Sequence, residues 1–196
     1  FTHQFNQEFK FFEFTQPTVS TRYGASFSNH INNKTRYNNL YNKFGVAYKT
    51  KSYGDLTFFV ENNNYNYFYD IVVYDASGNV TVPNALSDRI NTIGGNYTYF
   101  TNKIIAKLQL SQAISDHAIS MIDANATYKV NDKLQFTLNY QKQTSLPNLN
   151  YTLYQSDYTQ YNWYHDFKSE KTNQLTFTAT SKWINFSAQY KVLKDY

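Results

Sequence analysis

A chain of 196 residues with 19% aromatic and only 16% charged residues, against roughly 25% charge in an average domain, is too rich in rings and too poor in charge for intrinsic disorder. The absence of cysteine excludes a disulfide scaffold and any thiolate metal site, and six glycines with three prolines exclude a collagen-like or linker composition. The net charge of +4 comes from singly scattered Lys and Arg, without the basic stripe that a phosphate-tracking groove needs, so no nucleic acid is expected as a partner.

Helical spacing is nearly absent, and alternation of apolar and polar residues replaces it. The alternation predicts nine strands. The first, Gln4 to Phe14, and the second, Leu40 to Thr50, are separated by a long connection from Thr15 to Asn39. A tight turn at Lys51 to Gly54 leads to the third, Asp55 to Tyr69, where Leu56, Phe58 and Val60 set one face and Tyr65, Tyr67 and Tyr69 fall on the other. After Asp70 to Asp88 comes the fourth, Arg89 to Phe100, joined through Thr101 and Asn102 to the fifth, Lys103 to Ser111, with Ile104, Ala106, Leu108 and Leu110 on one side. Gln112 to His117 leads to the sixth, Ala118 to Val130, and Asn131 with Asp132 to the seventh, Lys133 to Thr144. In the seventh, Leu134, Phe136, Leu138 and Tyr140 oppose Gln135, Thr137, Asn139 and Gln141. Ser145 to Lys171 is the longest connection. The eighth strand, Thr172 to Ser181, turns at Lys182 into the ninth, Trp183 to Lys191, where Ile184, Phe186, Ala188 and Tyr190 alternate with Asn185, Ser187, Gln189 and Lys191.

Every second connection is a tight turn, and three of the others far exceed the usual four to six or so residues. Long two-faced strands with short turns at one end and long loops at the other predict an all-β, antiparallel, up-and-down transmembrane β-barrel. In such a barrel the apolar rows face lipid and the polar rows face an enclosed aqueous space. A soluble sandwich would carry shorter strands and more charge on its outer face. Tyr48, Tyr53, Tyr97, Tyr99, Phe100, Tyr128, Tyr140, Trp183 and Tyr190 lie near strand ends, where barrels carry aromatic girdles. An odd strand count, with the pattern already running at Phe1 and still running at Lys194 to Tyr196, leads us to expect residues 1–196 to be one partial barrel domain, without a further boundary, of a larger barrel.

Two stretches carry a family resemblance. Leu146-Pro147-Asn148-Leu149-Asn150-Tyr151, continuing through Tyr154-Gln155-Ser156-Asp157-Tyr158 to Tyr161-Asn162-Trp163, resembles a loop of the large putative porins of Bacteroidetes outer membranes. Asn33-Lys34-Thr35-Arg36-Tyr37-Asn38, followed by Leu40-Tyr41-Asn42-Lys43, is similar to another segment of that family. The resemblance implies an outer-membrane barrel acting as a porin, with no catalytic site and no cofactor. The expected partners are outer-membrane lipid, small polar solutes and other envelope proteins.

The candidate functional residues are charges on the rows predicted to face inward: Lys43, Glu61, Lys107, Asp123, Lys129 and Lys191, with Glu8, Lys10 and Lys49 on the same rows. Lys exceeds acid among them, which leads to an expectation of mild anion preference. His3, His30, His117 and His165 lack metal or catalytic spacing, Ser156-Asp157 lacks an oriented His, and Gly94-Gly95 reads as a bulge or a close backbone approach. The connections Ser145 to Lys171 and Thr15 to Asn39 are candidates for constriction or surface recognition. The leading expectation is passive diffusion of small polar solutes or ions. The alternatives are the barrel of a TonB-dependent receptor and a structural barrel within an envelope complex.

Overall fold

The alternation resolves into one nine-stranded antiparallel sheet with two small hairpins in a computed structural model that describes residues 1–15, 23–28 and 30–194. In chain order the elements are β1 (Thr2–Thr15), β2 (His30–Thr50), β3 (Gly54–Tyr69), β4 (Val73–Tyr74), β5 (Val80–Val82), β6 (Ala85–Phe100) and β7 (Ile104–Ala113). They continue with β8 (Ser120–Asn131), β9 (Leu134–Ser145), α1 (Leu149–Thr152), β10 (Leu153–Tyr154), β11 (Trp163–Tyr164), β12 (Glu170–Ser181) and β13 (Asn185–Lys194). The large sheet runs β1-β2-β3-β6-β7-β8-β9-β12-β13, each strand pairing with its neighbour along the meander, and β1 and β13 form its two edges. This is an up-and-down sheet of transmembrane length, a partial barrel. The expected loop at 16–22, residue 29 and the chain end at Asp195 and Tyr196 lie outside the described residues.

The nine predicted strands are all present, and the main difference is in β2. It begins at His30 rather than Leu40 and runs for 21 residues, so the Asn-rich stretch expected as loop is strand paired with β1. Asn disfavours strands because its amide competes for the local backbone. Along this end of the sheet, amides bond sideways instead: Asn62 Nδ2 donates to Asn91 Oδ1 at 2.7 Å, Asn64 Nδ2 to Asn62 Oδ1 at 2.7 Å, and Arg89 Nε to Asn64 Oδ1 at 2.8 Å. β6 likewise starts at Ala85 rather than Arg89.

The four short turns share one device. Thr50 Oγ1 accepts from Tyr53 N, Thr101 Oγ1 from Lys103 N and Ile104 N, Asn131 Oδ1 from Lys133 N, and Ser181 Oγ from Trp183 N and Ile184 N. A short side-chain oxygen at the end of each strand thus satisfies the turn's backbone donors, which is why Thr, Asn and Ser occupy these positions. All four turns lie at one end of the sheet, and the longer connections lie at the other.

Register fixes which rows share a face. Lys43 pairs with Glu61, Glu61 with Thr92, and Thr92 with Ala113, and the same face continues through Gln109–Asp123, Asp123–Gln141, Gln141–Gln174 and Gln174–Lys191. The opposite face carries Phe44, Val46, Phe58, Val60, Leu108, Leu110, Leu138, Phe177 and Phe186, all exposed; Leu138, for example, is 48% exposed. Its polar neighbours Thr137 and Asn139 are less exposed than Leu138. The sheet therefore curls with its polar rows on the concave side and its aliphatic belt on the convex side, the reverse of a water-soluble fold. The border of the belt steps by two residues between β9 and β8, where Ile122 pairs with Lys142, and again between β7 and β6, where Ile93 pairs with Gln112. Strands tilted to the barrel axis produce such steps. Of the predicted girdle, Phe100 is the correction: it pairs with Ile105 on the inward row.

Gly94 marks a close approach rather than a bulge, since register is continuous there and shifts instead between Lys129 and Asn131. A Cβ on Gly94 would lie 2.5 Å from Leu110 O and 2.5 Å from the ring of its cross-strand partner Phe59. Gly94→Ala is expected to lower stability by about 1–3 kcal/mol, as overpacking does. Urea unfolding measures this, and the Phe59→Ala background should recover only part of the loss because Leu110 O is backbone.

Candidate functional site

The concave wall is built from alternate residues of all nine strands. Lys43 and Glu61 are cross-strand partners, with Nζ–Oε1 at 2.7 Å and side chains 29% and 21% exposed. Tyr41 OH donates to the same Glu61 oxygen at 2.9 Å, and Lys43 Nζ lies 3.7 Å from the centre of the Phe59 ring. These groups balance one another locally. Asp123 accepts from Asn139 Nδ2 at 3.0 Å. Lys107, Lys129 and Lys191 stand on the same face but on separate strands, apart from the Lys43 and Glu61 pair. Glu8 and Lys10 form an exposed pair at 3.4 Å, and Lys49 stands opposite Asp55.

Register adds acids that the sequence did not place. Asp55 pairs with Thr98, Asp88 with Tyr65, and Glu170 with Ser145, all on the inward face. Asp88 and Glu170 join the wall because β6 and β12 begin before the predicted Arg89 and Thr172. Among the described residues, the inward strand rows thus hold Lys10, Lys43, Lys49, Lys107, Lys129 and Lys191 against Glu8, Asp55, Glu61, Asp88, Asp123 and Glu170. The excess of lysine disappears.

The connection between β9 and β12 is the second part of the site. It starts and ends at the β9–β12 pair, yet docks on β2, five strands away and about 24 Å along the sheet at the usual strand spacing. Asn33 clamps it: its Nδ2 donates to Ser156 Oγ at 2.9 Å and its Oδ1 accepts from Asp157 N at 2.7 Å. Asp157 Oδ2 accepts from Asn32 N at 2.6 Å. Gln155 Nε2 donates to Pro83 O at 2.8 Å, and Tyr67 OH donates to Asn150 Oδ1 at 2.7 Å. Ser26 and Tyr158 form a bridge that ties in the segment after β1. Asn33 and Tyr67 stand on the inward rows, so the segment crosses the concave side of the sheet as a chord.

Its internal order comes from amides. Asn148 caps α1 by accepting from Asn150 N at 2.9 Å, and Asn162 Nδ2 donates to Tyr158 O at 2.8 Å. Apolar burial completes the docking: Leu153 packs with Tyr67, Tyr69 and Val82, while the Tyr154 and Trp163 rings stack at 4.6 Å. Burial, reinforced by the neighbouring Tyr69 and Tyr161 phenols, pushes the Tyr154 hydroxyl above its ordinary pKa. A cavity of about 410 Å³ remains between segment and wall, bordered by Tyr67, Tyr69, Tyr154, Trp163 and Asn150.

Ser156-Asp157 is therefore a docking element. Three of the histidines have cross-strand or loop partners: His3 with Asn42, His30 with Glu13, and His117 with Asp88. Among the described residues no three His, Asp or Glu gather as metal ligands. No helix there is long and apolar enough to cross a membrane, which says nothing of crossing by strands. The clamp residue Asn33 was missed as a site in the sequence because its partners lie 123 and 124 positions away.

A family model described as "Putative porin" matches residues 1–196. No curated protein and no solved structure matches the chain.

Proposed function

The chain belongs to that porin family, and from this premise we propose that residues 1–196 form one unit of wall in an outer-membrane β-barrel that lets small polar solutes or ions diffuse passively. The observation that carries the reading is the inverted sheet, with aliphatic rows exposed on the convex face and Asn, Thr, Gln and paired charges on the concave one. In hydrocarbon every backbone N–H and C=O needs a partner, so the open edges of β1 and β13 must be covered for the wall to span. These edge strands run in the same direction, being first and ninth of an antiparallel meander. All-antiparallel closure therefore takes an odd number of further strands, which gives the even total usual in bacterial barrels. The protein works without catalysis or cofactor.

Liposome swelling by small neutral sugars, combined with heat-modifiable gel migration, tests the reading. Swelling supports an open path. A heat-modifiable protein that gives no swelling would favour the structural-barrel alternative, for which the docked β9–β12 segment is the relevant observation.

Selectivity follows from the wall. With six lysines facing six acids, the reversal potential under a salt gradient is expected to lie close to the non-selective value, and the mild anion preference suggested by sequence gives way. Glu61→Gln leaves Lys43 without its partner and should move the reversal potential toward anions, while Lys107→Glu should move it toward cations. Planar-bilayer recordings in which both variants shift the same way would refute the assignment of these residues to the pathway.

A further inference from the structure

The cavity beneath the docked segment has a wall made mostly of rings, a composition that the passage of ions does not call for. Tyr67 and Tyr69 come from β3, Tyr151 from α1, Tyr154 from β10 and Trp163 from β11. Its volume of about 410 Å³ falls within the roughly 300–1,000 Å³ of small-molecule sites. Tyr154 and Trp163 stack at 4.6 Å, and Tyr69 meets Tyr154 edge-on at 6.0 Å, so these three rings hold one another in place. Tyr151 is 67% exposed and has no ring neighbour among the described residues. A fixed stack beside a free ring is a preformed apolar surface with one adjustable side.

The polar groups around these rings are satisfied except for two. The Tyr67 and Tyr69 hydroxyls are 2.7 Å apart and Tyr67 OH donates to Asn150 Oδ1 at 2.7 Å, so Tyr69 donates to Tyr67 and both phenol protons are used inside the protein. A donor and an acceptor are left over. Asn150 Nδ2 has no partner among the described residues, and Gln155 Oε1 is buried without one while Gln155 Nε2 donates to Pro83 O at 2.8 Å. Gln155 is 1% exposed, and a buried carbonyl that receives no hydrogen bond is costly. A hydroxyl answers both groups, since it donates and accepts from one atom. Charge narrows the ligand further. No Asp or Glu borders the cavity among the described residues, and of its two lysines Lys10 is paired with Glu8 at 3.4 Å while Lys34 stands on the outward row. A peptide backbone finds no open edge, because Thr35 pairs with Tyr69 and Tyr37 with Tyr67 in the sheet. A neutral ligand with apolar faces and a hydroxyl edge fits, and a pyranose sugar is such a ligand, because its C–H-bearing faces lie well against the negative faces of aromatic rings.

We propose that the cavity formed by Tyr67, Tyr69, Tyr151, Tyr154 and Trp163 is a binding subsite for a neutral pyranose saccharide, with the sugar against Tyr151 and Trp163 and its hydroxyls on Asn150 Nδ2 and Gln155 Oε1. The subsite rests on the diffusion reading and names a solute class for it. It stands where the segment crosses the concave side, and so holds a sugar at the long-connection end of the path.

The test is isothermal titration calorimetry of the intact polypeptide in detergent micelles with cellobiose, sorbitol and trialanine. Cellobiose should bind saturably, and sorbitol, which carries hydroxyls without a ring face, should bind far more weakly. Tyr151→Phe keeps the ring and should bind cellobiose as the wild type does, while Tyr151→Ala should weaken binding about three- to tenfold. Asn150→Asp still accepts from Tyr67 but loses the free donor, and should weaken binding about three- to tenfold as well. Both positions are exposed, so the fold is spared. Tyr74→Ala, on β4 and outside the cavity wall, should leave binding unchanged. Equal binding of sorbitol, tighter binding of trialanine, or wild-type affinity in both Tyr151→Ala and Asn150→Asp would overturn the proposal. Liposome swelling keeps the two readings apart. Swelling by sugars without saturable binding would defeat the subsite alone, whereas saturable binding without swelling supports the subsite and defeats open diffusion.

Discussion

Leu138→Arg should lower the folded stability of the protein in lipid vesicles by about 2–4 kcal/mol, the cost of an arginine at the bilayer midplane of a barrel, while Thr137→Lys next to it should change stability little. Leu138 stands on the outward row of β9 between Phe136 and Tyr140, and its cross-strand partners are Ala126 and Phe177. Its surroundings are apolar and hold no acid to receive the guanidinium. Thr137 faces Thr127 and Thr178 on the concave side, where water can solvate an added ammonium. The measurement is urea unfolding in vesicles followed by gel migration. Equal tolerance of both substitutions would show that the exposed belt does not meet hydrocarbon. Greater damage from Thr137→Lys would mean that the polar rows form a dry interior.

The second large effect concerns the segment that crosses the concave side. Replacing residues 148–168 with a short Gly/Ser link should raise single-channel conductance several-fold, because the chord from the β9–β12 pair to β2 is removed. The wall, including Lys43 and Glu61, remains. Asn33→Ala is the milder version. It removes two side-chain bonds, to Ser156 and Asp157, each contributing roughly 0.5–1.5 kcal/mol, so the undocked population should rise about tenfold. Recordings should then show brief openings to the larger level. Unchanged conductance in the deletion would place the segment outside the solute path. In that case its burial against Tyr67 and Tyr69 would serve only to stabilise the rim of the sheet.

The two expectations draw on different kinds of sequence information. That Leu138 and Thr137 face opposite ways is visible in ten residues of sequence, since pleating sends successive side chains to opposite faces. The docking of Asp157 on Asn33 is visible nowhere in the sequence. The 145–171 connection reads as a candidate for constriction or surface recognition, and its Tyr and Asn content is compatible with several destinations. β2 was misjudged for a related reason: a run of asparagines is a loop signal when each amide serves its own backbone. The neighbouring β3 and β6 carry amides that bond sideways between strands, and that requires the strand alongside.

Composition and period two by themselves determined the all-β class, the strand number, the two-faced character of each strand and the sorting of short turns from long connections. These are consequences of local pleating and local turn chemistry, which act over a few residues. The tertiary structure alone decided which inward charges meet, bringing Lys43 to Glu61 and adding Asp55, Asp88 and Glu170 to a balanced wall. It also decided that Asn33 holds Asp157. Those outcomes depend on register between strands and on contacts more than a hundred residues apart, where a shift of two positions changes every partner while leaving the alternation intact.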